Sequence, residues 1–277
     1  MLLPRVGIGG IANTSTAFGR LQPALWQCYE QRSRANDLTE DGVMVFEDFD
    51  TWGDQVATAT DVGGWKVRAD TGSTYTQVTT DIGGVLKLDT DATDNDSIDA
   101  MYGKNVGNVS IQSGGSASVA FDCRIRLGEG GQVAHNEFFG LTASGSAADN
   151  GFFTDAGATA DRGCIGFQIL EATETYVNFT YKKAGQTAVV TTALYPRGSG
   201  GAMESFGFVF DPAERNVARR IKLFINNQEQ STYFTTTQIA AATFPSGVLL
   251  GGGFSLKNGS AAANTTEIDL MAWAMSV

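Results

Sequence analysis

The sequence has few basic side chains for its length, and it has no long run of apolar residues. Its 277 residues include 19 lysines and arginines against 30 aspartates and glutamates, a formal net charge of −11. Phosphate backbones repel an acidic surface, so this composition argues against direct nucleic-acid binding. No apolar segment is long enough to span a membrane, and the N-terminus lacks the regions of a signal peptide. We therefore expect synthesis in the cytoplasm and no membrane partner.

Cysteine and histidine are also scarce. Cys28, Cys123 and Cys164 are far apart in the sequence, and this spacing excludes a paired zinc site. Cys123 lies on an apolar strand face, which predicts a buried thiol in a reducing compartment. His135 is the only histidine, so a histidine metal cluster is excluded and a histidine-based triad is disfavoured. It falls in a predicted loop, residues 131–136, where we expect a solvated side chain.

Glycine and hydrophobic residues are abundant, with 34 glycines against 5 prolines and 42% hydrophobic residues. From residue 42 onwards the hydrophobic pattern has a period of two, which is typical of strands with one buried face. The clearest strand is predicted at residues 118–127. Its buried face is predicted to consist of Val119, Phe121, Cys123, Ile125 and Leu127, and its other face of Ala120, Asp122, Arg124 and Arg126.

Further strands are predicted at close spacing, at residues 84–88, 137–141, 163–170, 176–182, 205–210, 221–225, 249–256 and 267–275. Polar or glycine-rich turns separate them, and Asn226-Asn227 suits a turn with positive φ. Helices do not alternate with these strands, which argues against a parallel α/β sheet. The sequence therefore predicts an all-β fold, a two-sheet antiparallel jelly-roll sandwich over residues 41–277.

Residues 1–40 differ in composition, and we predict that they form an extended, partly helical N-terminal arm. Pro23 suits the first turn of a short helix, with Leu21, Leu25 and Tyr29 at four-residue spacing. The first 36 residues contain four arginines and one glutamate, whereas the rest of the chain is strongly acidic. A basic arm on an acidic body predicts docking on an acidic surface such as a neighbouring subunit. The alternative is a chance charge distribution in a short segment.

Carboxylate pairs are the first candidates for catalysis, because glycosidases occur on jelly rolls. Their signature is Glu-Ile-Asp with another glutamate two residues later. In this chain Glu267-Ile268-Asp269 is followed by Leu270 and Met271, so the second glutamate is absent. The sequence therefore predicts no catalytic residue and no enzyme activity.

Two other groups of residues are candidates for binding, each with a simpler alternative. Aspartates at alternating spacing are typical calcium ligands, but a solvated turn rich in aspartate has the same pattern. The calcium candidates are Asp89, Asp91, Asp94 and Asp96, and no other cofactor is expected. Aromatic rings near turns can stack on sugars, but most aromatic residues of a β-sandwich fill its core. The glycan-stacking candidates are Trp52, Trp65 and Tyr75, with Tyr102 nearby.

A series of short motifs occurs in order along the chain, and each is weak alone. The series is Phe138–Ala143, Phe152–Asp155, Ile165–Phe167, Tyr181–Gln186, Phe206–Pro212, Leu223–Asn227, Thr243–Pro245 and Ile268–Leu270 with Trp273. Together they resemble the concanavalin-like, or laminin-G-like, jelly-roll structural proteins of tailed bacteriophages. The resemblance covers about residues 42–277 and leaves the first 40 residues outside it.

The resemblance implies a virion structural protein, of the capsid decoration or cement type, made in the host cytoplasm and placed on the capsid exterior. Its implied partners are the major capsid protein and further copies of itself, as a trimer or a dimer. The candidate capsid or subunit contacts lie in the arm: Arg5, Arg20, Leu21, Leu25, Trp26, Arg32 and Arg34. The alternative is a carbohydrate-binding, lectin-like module of a fibre or capsid surface that mediates host adhesion. Glycan binding with loss on Trp65→Ala would favour the alternative.

Overall fold

The computed structural model of the protein is an antiparallel β-sandwich with one helix on its outside. It describes residues 21–35, 42–49, 52, 55–56, 60–62, 64–78, 84–103, 107–127, 134–145, 147, 151–197 and 201–276. No helix in these ranges is long and apolar enough to cross a membrane.

The α-helices are α1 (Pro23–Ala35) and α2 (Thr236–Ala240), and a short 3₁₀ helix spans Glu171–Thr173. The strands are β1 (Gly42–Glu47), β2 (Gln55–Val56), β3 (Thr60–Val62), β4 (Trp65–Ala69), β5 (Thr74–Val78), β6 (Val85–Asp89), β7 (Ser97–Tyr102), β8 (Val109–Ser110), β9 (Val119–Arg126), β10 (His135–Thr142), β11 (Cys164–Ile169), β12 (Tyr176–Lys182), β13 (Val189–Pro196), β14 (Glu204–Phe210), β15 (Ile221–Ile225), β16 (Gln228–Phe234), β17 (Leu249–Asn258) and β18 (Thr265–Ser276).

The strands form two sheets with antiparallel pairing. Sheet A has the order β16-β15-β14-β9-β18-β6-β5-β2, and β1 also pairs with β18. Sheet B has the order β13-β12-β11-β10-β17-β7-β4-β3, and β8 also pairs with β17. Neighbours that are distant in sequence, such as β9 and β18, show that the chain crosses repeatedly between the sheets. The predicted all-β, two-sheet jelly-roll sandwich is confirmed.

The inner faces of both sheets supply the main core. All five residues predicted on the buried face of β9 belong to it, and none is more than 3% exposed. Cys123 is a buried free thiol, as predicted. Asn226 and Asn227 have φ values of 49° and 65°, which confirms the predicted tight turn between β15 and β16.

The prediction for His135 is wrong. This residue begins β10 rather than ending a loop, and its side chain is fully buried. Side chains alternate along a strand, so His135 lies on the same face of β10 as Phe139 and Leu141 and points into the sandwich with these core residues. Glu137 shares this face and is also buried, and His135 Nε2 lies 3.7 Å from Glu137 Oε2.

Helix α1 covers part of the outer face of sheet A. It begins at Pro23, as the sequence predicts, because the fixed φ of proline suits the first turn. Its buried side makes a second hydrophobic cluster with small and apolar residues of the sheet. The cluster comprises Leu21, Leu25, Trp26 and Tyr29 from the arm, and Ala120, Val209, Phe224, Leu270, Ala272 and Ala274 from the sheet.

A buried carboxylate fixes the start of the helix. Asp122 on β9 accepts hydrogen bonds from Gln22 N at 2.8 Å, from Gln22 Nε2 at 2.8 Å and from Trp26 Nε1 at 2.9 Å. Burial raises the pKa of Asp122, and the hydrogen bonds from Gln22 and Trp26 oppose that shift. The outer face of β9, predicted to lie opposite the buried face, is therefore covered at Ala120 and Asp122.

The close approach of α1 to sheet A depends on Gly207 in β14. A Cβ at this position would lie 2.2 Å from Leu25 Cδ1 and 2.5 Å from the Phe121 carbonyl oxygen. We expect Gly207→Ala to push the helix outward and to lower the free energy of unfolding by about 1–3 kcal/mol. Urea denaturation measures this, with Gly114→Ala as the control because a Cβ there meets nothing within 4 Å. Equal costs for the two variants would contradict this account of the docking.

Candidate functional site

The outer face of sheet B carries an open, polar cavity of about 600 Å³. Strands β4, β7 and β17 form its floor, and the loop between β10 and β11 forms its wall. Its lining side chains are charged or polar with one exception, Ala160. The lining residues are Arg68, Asp70, Asn95, Ser97, Thr154, Asp155, Ala160, Asp161, Arg162 and Lys257.

A network centred on Asp99 organises the floor. Asp99 lies opposite Arg68 in the β4–β7 register, and its Oδ2 accepts a hydrogen bond of 3.0 Å from Ser97 Oγ. Arg68 Nη1 lies 3.6 Å from the same oxygen, while Arg68 Nη2 bonds to Asp70 Oδ1 at 2.7 Å. Asp70 Oδ2 in turn accepts from the Ser97 backbone N at 2.9 Å. These contacts hold the floor side chains in fixed directions.

Asp99 also anchors the wall. Its Oδ1 accepts a hydrogen bond of 2.9 Å from Phe152 N in the wall. The preceding Gly151 has a φ of 62°, and a Cβ there would lie 2.8 Å from Asp99 Oδ2. The Phe152 ring stacks on Phe138 of β10 with centroids 4.0 Å apart. Burial raises the pKa of Asp99, and hydrogen bonds from Ser255, Phe152 and Ser97 oppose the shift.

Two lysines tie the rest of the wall to the sheet. Lys182 of β12 donates to the carbonyl oxygens of Thr159 and Ala160, each at 3.0 Å. Lys257 of β17 donates to Asp155 Oδ1 at 2.9 Å. The side-chain hydrogen bond from Lys257 lowers the pKa of Asp155. Since the Asp155 side chain is 87% exposed, this pair adds little stability and is free to exchange for a ligand contact.

The glycan-stacking prediction is wrong for all three named aromatic residues. Trp52 and Trp65 are 0% exposed and Tyr75 is 1% exposed, so no ring face is open to a sugar. They pack edge-on against one another, with centroids 5.7 Å apart for Trp52 and Trp65 and 5.6 Å for Trp52 and Tyr75. Tyr102 packs against Trp65 and Trp273 in the same way. The alternative interpretation, an aromatic core, is the one observed.

The four calcium candidates do not converge on one point. Asp89 pairs with Lys87 and accepts from Thr265 Oγ1, and Asp91 Oδ1 accepts from the adjacent Ala92 N. Burial raises the pKa of Asp96, as do the carboxylates of Asp70 and Asp91, and Asp94 is exposed. Among the described residues no group of three histidine, cysteine, aspartate or glutamate side chains is placed to hold a metal. Calcium binding stays a prediction.

The capsid-contact candidates divide into two groups. Leu21, Leu25 and Trp26 are at most 6% exposed and pack on this chain's own sheet, so they are not available to a partner in this structure. Arg32 and Arg34 fall within α1, and their side chains are outside the described part of the chain. Arg5 and Arg20 also lie outside the described residues. Contact with a capsid or a second subunit stays a prediction.

The remaining sequence candidates for catalysis lie on the other sheet. Glu267 and Asp269 are on β18 and form ion pairs with Arg126 and Arg124, respectively, the latter at 2.9 Å. The residues that do surround the cavity were not predicted as site residues. Their signal is the alternation of polar Lys66, Arg68 and Asp70 with apolar neighbours in and after β4.

No family model matches the chain, and no curated protein matches it in sequence. Many solved structures match it in fold. Peanut lectin, solved with a nine-residue peptide, is 12% identical with a TM-score of 0.53, and the match covers 86% of this chain and 98% of that chain. The fold is the concanavalin-like jelly roll.

Other solved structures match this chain with lower TM-scores. The carbohydrate recognition domain of Emp47p has a TM-score of 0.49 at 13% identity, covering 81% of this chain and 94% of that chain. A β-glucanase of Bacillus licheniformis has a TM-score of 0.46 at 13% identity, covering 84% and 99%. Identities this low show the fold alone. The bacteriophage part of the resemblance therefore stays a prediction.

Proposed function

We propose that this protein is a carbohydrate-binding domain and that the sheet B cavity is its saccharide site. The cavity carries the proposal: its volume of about 600 Å³ falls in the range of small-molecule sites, and its lining is polar. A sugar ring presents hydroxyl groups that donate and accept hydrogen bonds at close spacing. The cavity lining includes both donors, such as Lys257, and acceptors, such as Asp70, which suits that pattern.

The order of the site favours specific recognition. Asp99 lies under the floor of the cavity and accepts hydrogen bonds from Ser97 in the floor and from Phe152 in the wall. The lining groups therefore need little rearrangement when a ligand binds. A site that is built to hydrogen-bond hydroxyl groups rejects ligands that lack them, because its buried polar groups would lose their partners. The fold of lectins such as peanut lectin is consistent with this use of the sandwich.

We further propose that the domain binds saccharide without cleaving it. Glycoside hydrolysis needs a carboxylic acid with a raised pKa beside the scissile bond and a second carboxylate across from it. Asp155 at the cavity wall has a lowered pKa because of Lys257, the opposite of a general acid. Asp99 has a raised pKa, but it is 1% exposed beneath the floor and accepts bonds from Ser97 and Phe152.

Blocking the cavity tests the proposal. Thr154 is an exposed residue of the lining, and we expect Thr154→Trp to weaken binding on a glycan array about tenfold or more by filling the space. Thr192→Trp is the matched control, since Thr192 is exposed on β13 outside the cavity. Binding that survives Thr154→Trp, or the absence of binding to any glycan, would overturn the proposal.

Attachment to a virion is compatible with this proposal. A carbohydrate-binding domain on a capsid or fibre surface would mediate host adhesion, as the sequence-based alternative has it. The capsid lattice as partner, the capsid exterior as location and a trimeric or dimeric state stay predictions. Deleting residues 1–40 and measuring occupancy on purified capsids tests the first of these.

A further inference from the structure

Each carboxylate that lines the cavity already has a partner. Asp70 accepts from Arg68 and Ser97, and Asp155 accepts from Lys257. Asp161 Oδ1 accepts from Gly185 N at 2.5 Å and lies 3.9 Å from Lys182 Nζ. Each of these three carboxylates therefore has a donor or a cation beside it in this structure.

Arg162 is different. It lines the cavity and is partly buried, yet its guanidinium makes no hydrogen bond or ion pair with the residues that the structure describes. The buried carboxylate whose charge acts on Arg162 is Asp99, and its oxygens already accept hydrogen bonds from Ser97 and Phe152. Burial lowers the pKa of Arg162, and the charge of Asp99 only partly offsets this. A partly desolvated cation with free donors favours an anion brought by a ligand.

The chemistry of the guanidinium defines the ligand. Its planar fork of N–H donors matches two oxygens of one anionic group and forms charge-assisted bonds that are about twice as strong as neutral ones. Resting on the proposed function, we infer that the cavity binds a saccharide carrying an anionic group, and that Arg162 holds that group. Carboxylate, sulfate and phosphate substituents share this chemistry. Hydroxyl groups of the same sugar face Ser97, Asp70 and Thr154.

Isothermal titration of the full chain with paired probes tests the inference. The pairs are α-1,4-trigalacturonate and its methyl ester, a chondroitin sulfate tetrasaccharide and its desulfated form, and mannose 6-phosphate and mannose. We expect at least one anionic probe to bind about 30-fold more tightly than its neutral counterpart. The pair that shows the difference identifies the anionic group.

Variants assign the difference to one residue. Arg162→Gln is expected to reduce the affinity for the anionic probe to that of its neutral counterpart without changing the latter, and Arg162→Lys to retain an intermediate affinity. Arg215→Gln, at an exposed position outside the cavity, is expected to change neither. Circular dichroism checks that the variants are folded.

The failures of the two proposals are distinguishable. Equal binding of the anionic and neutral members of every pair would overturn the inference and leave carbohydrate binding intact. Unchanged binding of the anionic probe by Arg162→Gln would overturn the role of Arg162. Absence of binding by all six probes, together with an empty glycan array, would overturn both proposals.

Discussion

Replacing His135 and Glu137 together with leucine is expected to raise the free energy of unfolding by about 2 kcal/mol. The two side chains are buried between the sheets, 3.7 Å apart at their closest polar atoms. None of their four polar side-chain atoms has a hydrogen-bond partner in the part of the chain that the structure describes. Replacing a buried polar pair of this kind by apolar residues removes an uncompensated desolvation cost.

Either replacement alone should act in the opposite direction. His135→Leu leaves the Glu137 carboxyl buried among apolar side chains without its neighbour, and we expect a loss of about 3 kcal/mol. Urea denaturation of both single variants and the double variant gives the coupling energy directly. A double variant that is less stable than either single variant would show that the pair stabilises the fold.

Phe121→Ala is expected to cost about 3–5 kcal/mol of unfolding free energy. Phe121 is fully buried on the inner face of β9 and stacks on Phe208 with centroids 5.6 Å apart. Truncation removes the ring's burial and leaves a cavity between the sheets, and both effects destabilise the fold. Tyr176→Ala is the control, because Tyr176 is 41% exposed and its truncation should cost less than about 0.5 kcal/mol. A measured cost below about 1 kcal/mol for Phe121→Ala would contradict the packing of this face.

The strands with strict alternation could be predicted from the sequence. In β9 each core residue is an apolar side chain with a polar or small neighbour, so the period of two is clear. Strands β12 and β15 have the predicted bounds, since a turn with positive φ or a glycine closes each. Strand β7 was not predicted, because its sequence, Ser97–Tyr102, places a polar residue and then a buried aspartate among apolar ones.

The cavity could not be predicted because it depends on long-range contacts. Arg68, Asp99 and Lys257 come from three strands that are distant in sequence, and the wall is held by Phe152 and by Lys182 of a fourth. The prediction that aromatic residues near turns expose their rings failed for a related reason. Turn position indicates little about burial, because a residue near a turn can still pack into the core, as Trp52 and Trp65 do. Burial is set by packing, and it requires the fold.

The docking of α1 by Asp122 makes the two outer faces of the sandwich different. Leu21, where the described chain begins, is fixed on the outer face of sheet A, and the cavity opens on the outer face of sheet B. The full thickness of the sandwich separates these faces. A partner that bound the α1 side of sheet A would therefore leave the cavity, on the opposite side of the sandwich, open to a ligand. Attachment and recognition would then use opposite sides of one domain, without competing for surface.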